Sequence, residues 1–189
     1  MSLSGECFNR GANLSFKKGW LTKCRQFTIL LRLRTPAILR KPPEVILKVF
    51  TGTVRIKSSA KAEEINITNQ AEAVLAESGI QDGIAFVFTG HTTASVHLGN
   101  ADKELEQDFH DFLSGVVVNK PDYRHNNKGD YGKNADAHFK SIMVGNSVAV
   151  PVTRGRLSLG QWQAIYFSEF DGPRSRLISV RIMGGKTGQ

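Results

Sequence analysis

Short stretches in which apolar and polar residues alternate recur along most of this chain, and they restrict its fold more than any other feature. The first covers residues 49–58, with Phe50, Val54 and Ile56 on one side and charged or hydroxyl residues on the other. A period of two indicates a half-buried β-strand. Further stretches of this kind, or short apolar runs, occupy residues 83–88, 91–98, 147–153, 164–170 and 177–183. The short connections between these six or seven strands predict mostly antiparallel pairing.

Two segments between the predicted strands have helical spacing instead. Residues 62–78 place apolar side chains near a helical period, and Gly79 follows them as a C-cap. Residues 103–116 carry one apolar stripe, and Asp102 stands at the N-cap position. Strands and helices together predict a single α+β domain with two or three helices.

Charge and cysteine divide the chain near residue 48. Residues 1–48 hold ten Lys or Arg against two Glu, whereas residues 49–189 hold fifteen residues of each sign. The body is therefore neutral, which argues against a nucleic-acid partner because such binding needs a basic face on the folded domain. Both cysteines, Cys7 and Cys24, lie in the basic segment. A metal site in the body would have to use His, Asp, Glu or carbonyl oxygen.

The change in charge and cysteine content near residue 48 predicts a basic N-terminal extension at 1–48. One domain at 49–185 and a short tail at 186–189 follow. The extension is Arg-rich and poor in acids, which suits either a disordered, removable extension or an organelle transit peptide. We expect a cytoplasmic protein, with the mitochondrion or a plastid as the alternative. The apolar run at 27–33 is too short to cross a membrane, and no membrane partner is expected.

The long polar stretch from Tyr123 to Gly145 is the best candidate for a functional loop. It places His125 and His138 thirteen residues apart among Asn, Asp and Gly residues. Long irregular loops inside a compact domain are usually functional or disordered, and flexible linkers rarely carry imidazoles. The alternative is a solvated surface loop whose histidines only form hydrogen bonds.

A third candidate histidine, His91, ends a buried run and precedes the hydroxyl residues Thr92, Thr93 and Ser95. Together with His125 and His138 it is a candidate for a catalytic three-histidine metal site with an open fourth position. His97 lies too far along a regular strand to join His91 at one ion. His110 is expected to be an exposed partner of Glu106 on its helix.

Cationic side chains downstream of the loop favour a phosphate ligand, because guanidinium and ammonium groups suit phosphate. Glu169 is either a surface carboxylate paired with one of them or a catalytic base. The predicted substrate and phosphate set is Thr92, Thr93, Ser95, Asn126, Lys140, Ser141, Arg154, Arg156, Arg174 and Arg176.

Four motifs carry a resemblance to a known family. They are HTTAS at 91–95, YRHN at 123–126, AHFKSIMVG at 137–145 and RGRLSLGQWQAIYFSEFDGPRSR at 154–176. The chain resembles the YjbQ-like family, described as secondary thiamine-phosphate synthases. Where relatives commonly have an NEN-type stretch, this chain has LGNAD at 98–102, one residue shorter.

The resemblance implies a homotrimer and a metal or anion site at His91, His125 and His138. It implies an enzyme that joins a pyrimidine pyrophosphate to a thiazole phosphate and releases pyrophosphate. Such a reaction needs a divalent ion and cations on the leaving phosphates, and three imidazoles favour zinc or another transition metal over magnesium. Two alternatives remain open: a zinc-dependent hydrolase with Glu169 as base, and a non-catalytic trimer that binds a metal or small anion.

Overall fold

The computed structural model describes residues 45–129 and 132–187. The predicted N-terminal extension lies outside these residues except for its last four positions, and the predicted tail is described only to residue 187. In the described residues no helix is long and apolar enough to cross a membrane.

The described chain contains eight strands and three α-helices, which confirms the α+β class. The strands are β1 (Val45–Lys57), β2 (Glu63–Asn66), β3 (Gly83–Thr89), β4 (Ala94–Asn100), β5 (Ser147–Thr153), β6 (Arg156–Leu157), β7 (Gln163–Glu169) and β8 (Ser175–Thr187). The helices are α1 (Thr68–Ser78), α2 (Lys103–Val116) and α3 (Ala135–Val144), with a 3₁₀-helix at Arg124–Asn127.

The strands form two antiparallel sheets rather than one. The larger sheet has the order β1-β8-β3-β5-β6 and the smaller one β2-β7-β4. The long strands β1 and β8 pair over thirteen residues, from Val45 opposite Thr187 to Lys57 opposite Ser175. Strand β1 thus begins four residues before the predicted boundary at Val49.

One hydrophobic core joins the two sheets. Alternate residues of the larger sheet, such as Val54, Val87 and Val180, are buried together with Phe167 of the smaller sheet and Leu75 of α1. The alternation in the sequence therefore reports the buried face of each strand. A smaller cluster lies where α2 and α3 meet the end of β7, around Leu113, Ala137 and Phe170.

Local signals set the helix ends. The Asp102 carboxylate accepts hydrogen bonds from the backbone N–H groups of Glu104 and Leu105, so it caps α2 as predicted. Gly79 follows α1 with φ of 65°, the left-handed conformation that favours glycine.

Three predicted elements differ from the structure. The predicted loop at 123–145 contains the 3₁₀-helix Arg124–Asn127 and helix α3, Ala135–Val144. Residues 62–78 do not form one helix, because Glu63–Asn66 pair with β7 as strand β2 before α1 begins at Thr68. The predicted continuation of strand 83–88 into 91–98 is also broken. β3 belongs to the larger sheet and β4 to the smaller one, so the chain changes sheets at residues 90–93.

Candidate functional site

Two of the three predicted histidines line one cavity. His91 lies in the connection between β3 and β4, and His138 lies on α3. Both line a cavity of about 440 Å³ that Thr92 and Ser141 also line. The structure therefore brings the HTTAS motif and the start of the AHFKSIMVG motif, on α3, to one cavity.

His125 contacts His138 but is not among the residues that line this cavity. The two rings stand nearly perpendicular, with their centroids 4.8 Å apart. His125 Nε2 lies 3.0 Å from Asn134 Oδ1, and the Asn134 amide nitrogen donates to Asp171 Oδ2 at 2.9 Å. Because the Asn134 oxygen can only accept, His125 must donate from Nε2.

Within residues 45–129 and 132–187, no group of three or more His, Cys, Asp or Glu side chains is arranged to hold a metal ion. His91, His125 and His138 thus do not form a ligand set within one chain as described. A divalent metal at this site stays a prediction.

The His91 side chain also forms a hydrogen bond with the backbone. Its Nε2 accepts a hydrogen bond from the Leu177 N–H of β8 at 3.0 Å. Burial lowers the pKa of His91, and the nearby Arg176 charge lowers it further. Both effects favour the neutral imidazole that this hydrogen bond requires.

Glu169 is a fully buried structural carboxylate. Its Oε1 accepts from the Phe170 and Asp171 N–H groups at 3.1 and 2.9 Å and from Arg176 Nη2 at 2.5 Å. Its Oε2 accepts from Arg176 Nε at 2.6 Å and Ser58 Oγ at 3.3 Å. The geometry does not support a role for Glu169 as catalytic base, because five donors occupy its oxygens.

The predicted phosphate-binding cations do not gather at the cavity that His91 and His138 line. Arg176 is buried against Glu169, and Arg174 forms an exposed ion pair with Asp171 at 2.7 Å. Lys140 Nζ lies 3.4 Å from Asp136 Oδ2. Arg154 and Arg156 lie at the turn between β5 and β6. None of these five cations is among the residues that line the cavity.

Most of the predicted polar partners are satisfied inside the fold. Thr93 Oγ1 accepts from Arg176 Nη2 at 2.9 Å, and the Ser95 and Ser141 hydroxyls donate to backbone carbonyls. Asn126 Oδ1 accepts from the Ala135 N–H at 3.1 Å at the start of α3. Of the predicted hydroxyl set, Thr92 is exposed and lines the cavity.

A second cavity, of about 410 Å³, lies beside β4, β7 and α2. Its lining is largely apolar, with Leu98, Leu105, Phe109, Phe112 and the Tyr166 ring. Its size falls in the range of small-molecule sites, which are mostly apolar with a few placed polar groups. Here the polar groups include Glu64 and His97.

A hydroxyl connects Glu64 to His97. Ser168 Oγ lies 3.0 Å from Glu64 Oε2 and 3.1 Å from His97 Nδ1. The other carboxyl oxygen, Glu64 Oε1, is buried and has no hydrogen-bond partner among the described residues. It lies 3.5 Å from His110 Nε2, which is also buried and unpaired there.

Burial shifts the pKa values of this group strongly. The side chain of Glu64 is 3% exposed, and burial raises its pKa to about 8, with a further rise from Glu106. Burial and the nearby His110 lower the pKa of His97 to about 4. At neutral pH the carboxyl group is therefore protonated and the imidazole is neutral.

Aromatic rings hold His97 in place. Its ring stacks on Tyr166 with a centroid distance of 5.7 Å and tilts against Phe109 at 5.2 Å. The Tyr166 hydroxyl donates to Glu106 Oε1 at 2.8 Å, and burial followed by Glu106 raises the Tyr166 pKa to about 12. The imidazole is thus fixed at the cavity wall by packing on both sides.

Comparison with known proteins identifies the family. The model of the YjbQ-like UPF0047 proteins matches residues 52–185, well over half of the chain. The chain belongs to the YjbQ-like UPF0047 family.

Curated relatives of this YjbQ-like protein are similar over almost their whole length. A UPF0047 protein of Methanothermobacter thermautotrophicus is 37% identical over 140 residues, which is 74% of this chain and 96% of the relative. The YugU protein of Bacillus subtilis is 41% identical over 133 residues, covering 70% and 98%.

Solved structures agree with the fold. A YbjQ-like protein of unknown function from Sulfolobus solfataricus superposes with a TM-score of 0.70 at 31% identity, covering 74% of this chain and 99% of that one. A YjbQ/UPF0047 protein of Clostridium acetobutylicum gives 0.64 at 39% identity, covering 69% and 98%.

These findings correct the expected function. The matching UPF0047 proteins are named without an activity, and the Sulfolobus solfataricus structure is described as a protein of unknown function. The prediction that this YjbQ-like protein is a thiamine-phosphate synthase, a transferase, is therefore wrong. The dispersed cations agree with this correction, because the five predicted cations do not form one group that could neutralise a pyrophosphate leaving group.

The second cavity does not follow from the sequence pattern. The helical spacing of residues 62–78 predicts that Glu64 lies in a helix, although it lies on β2. His110 was expected to be exposed, but its side chain is 15% exposed and faces Glu64. The available signal was the alternation in β7, which places Ser168 and Tyr166 on the same face of the strand. Nothing local in the sequence pairs that face with His97.

Proposed function

We propose that this YjbQ-like protein binds a small, largely apolar organic molecule in the cavity beside α2 and transfers a proton to or from it through His97. The observation that supports this most strongly is the chain of contacts from Glu64 through Ser168 to His97 at the cavity wall. Titratable groups with strongly perturbed pKa values in a cleft are candidates for function.

The resting state follows from the two pKa shifts. With Glu64 protonated, its hydroxyl donates to Ser168 Oγ, and the Ser168 hydroxyl donates to Nδ1 of neutral His97. The remaining imidazole proton then sits on Nε2. This nitrogen lies beside Gly99, where an added Cβ would stand 3.4 Å from it. Since Gly99 also lines the cavity, we infer that Nε2, which lies 4.0 Å from Glu64 Oε2, is the atom that faces a ligand.

Proton transfer to a ligand needs no lasting imidazolium. As His97 Nε2 gives its proton to the ligand, Ser168 passes its proton to Nδ1 and receives the Glu64 proton. The imidazole ends neutral, Glu64 ends as a carboxylate, and the ligand gains one proton. The reverse sequence removes a proton from a ligand. Such positioned transfer typically contributes about 10²–10⁴-fold to a rate.

His110 has a role in the second half of this cycle. Its Nε2 lies 3.5 Å from the unpaired Glu64 Oε1. Once Glu64 is ionised, a shift of a few tenths of an ångström lets the His110 N–H donate to that oxygen. A hydrogen bond to the charged form stabilises it, so the carboxylate state becomes accessible.

Solvent exchange tests the proposal directly. The full chain is incubated in D₂O with a panel of small organic amines, alcohols, ketones and acids, and deuterium incorporation at carbon is followed by NMR. We expect exchange that Ser168→Ala slows about 100-fold and His97→Gln abolishes. Ser158→Ala, an exposed serine bonded to Thr153, is the matched control and should leave the rate unchanged.

The imidazole itself gives an independent readout. ¹⁵N NMR should find His97 neutral at pH 7 with its proton on Nε2, and Ser168→Ala should remove this tautomer preference. An ordinary titration of His97 near its unperturbed pKa of about 6.5, with no exchange of any compound, would refute the proposal.

Two expectations from the sequence stay proposals. They are assembly as a homotrimer, which analytical ultracentrifugation tests, and a cytoplasmic location, which cell fractionation tests.

A further inference from the structure

The acidic and apolar lining of the cavity beside α2 points to one class of ligand. We infer that the cavity binds a small molecule with an apolar body and a protonated amine. This rests on the proposed function, since it concerns the same cavity, and it adds the chemical class of the ligand.

The charges at the cavity have one sign. The carboxylates of Glu106 and Asp108 line it, and no Lys or Arg is among its lining residues in the described structure. Glu64 also lines the cavity but is protonated at neutral pH and adds no charge. The chain as a whole carries a net charge of +8, so this local excess of carboxylates runs against the overall balance. A phosphorylated or carboxylated ligand would meet repulsion here, whereas a cation is attracted.

The apolar residues at the cavity suit the rest of such a ligand. Leu105 is 47% exposed and Phe112 is 63% exposed, and both line the cavity. These exposed side chains provide a surface for an apolar body, and the faces of Phe109 and Tyr166 can attract an adjacent cation. The carboxylates and the apolar lining together describe an aryl or alkyl amine.

Three probes of matched shape test the inference. 2-Phenylethylamine, 2-phenylethanol and phenylacetate are titrated into the full chain and followed by isothermal calorimetry and by NMR of the His97 ring. We expect the amine to bind about tenfold more tightly than the alcohol, the equivalent of about 1.4 kcal/mol, and phenylacetate to bind most weakly.

Variants test which carboxylate causes the preference for the amine over the alcohol. Asp108→Asn and Glu106→Gln should each reduce the preference for the amine over the alcohol about threefold or more. Glu104→Gln is the matched control, because Glu104 lies on the same helix, is exposed and is not among the lining residues. It should leave the preference unchanged.

The failures of the two proposals are distinguishable. Equal binding of amine and alcohol, or tighter binding of phenylacetate, overturns the ligand class, while deuterium exchange that depends on His97 would still support the proposed function. Absence of binding for all three probes overturns the ligand class, and the proposed function falls with it only if the exchange panel is also negative.

Discussion

Replacement of Glu169 by glutamine should destabilise the domain severely without altering its shape. The carboxylate is fully buried, and it receives five hydrogen bonds, two of them from the Arg176 guanidinium. A glutamine side chain keeps one acceptor oxygen but turns an NH₂ group towards donors. The Arg176 charge, whose side chain is 8% exposed, is then left without its counterion.

The expected loss is about 3–5 kcal/mol, the usual cost of breaking a buried ion pair by removing one partner. Urea denaturation followed by circular dichroism measures this loss as a lower midpoint at an unchanged slope. The matched control is Arg174→Gln. Arg174 pairs with Asp171 at the surface and its side chain is 53% exposed, so its loss should cost under about 1 kcal/mol.

A double variant sharpens the test. Glu169→Leu combined with Arg176→Met removes both charges, and we expect it to lose less stability than Glu169→Leu alone, because no uncompensated charge stays buried. A loss below about 1 kcal/mol for Glu169→Gln would refute the reasoning. Glu169 would then have no structural role and would again be a candidate catalytic base.

Three further predictions concern Glu64, Gly99 and Asn134. Because the folded pKa of Glu64 is raised, its contribution to stability is complete below the unfolded value of 4.5 and is lost as pH rises towards about 8. The difference in unfolding free energy between wild type and Glu64→Gln should therefore fall over this window by about 1.4 kcal/mol per pH unit, measured by urea denaturation. Gly99→Ala would place a Cβ 3.1 Å from the Tyr166 ring, so 2-phenylethylamine should bind about tenfold more weakly, and unchanged affinity in calorimetry would contradict this. Asn134→Ala should cost about 1–2 kcal/mol and broaden the NMR signals of the His125 ring; sharp, unshifted signals would count against the assigned hydrogen bond.

Much of the fold follows from local pattern in the sequence. The strand at Ser147–Thr153 and the helix at Lys103–Val116 have the predicted bounds, because alternation and an apolar stripe directly record which face is buried. The sheet change at residues 90–93 was not predictable in this way. Both flanking segments look like strands, and only long-range pairing decides which neighbours each one takes.

The residues of the candidate site were harder to predict from local sequence pattern than the strands and helices. The meeting of His91 with His138 follows from two motifs that the sequence marks clearly. The meeting of Glu64, His97 and Ser168 joins three separate strands, and each residue alone resembles an ordinary surface position. The buried environment that shifts the pKa values of Glu64 and His97 exists only when β2, β7 and β4 pair.

The hydrogen bond between His91 and Leu177 limits how this histidine can act. β3 stops pairing with β8 at Thr89, opposite Ile178, and the His91 imidazole accepts the hydrogen bond of the next β8 residue, Leu177. The ring therefore connects the β3–β4 loop to the larger sheet. With Nε2 engaged, only Nδ1 remains for any ion or molecule in the adjoining space. Acidification that protonates the ring would break this hydrogen bond and leave the Leu177 N–H without its acceptor, while Thr93 stays bonded to Arg176.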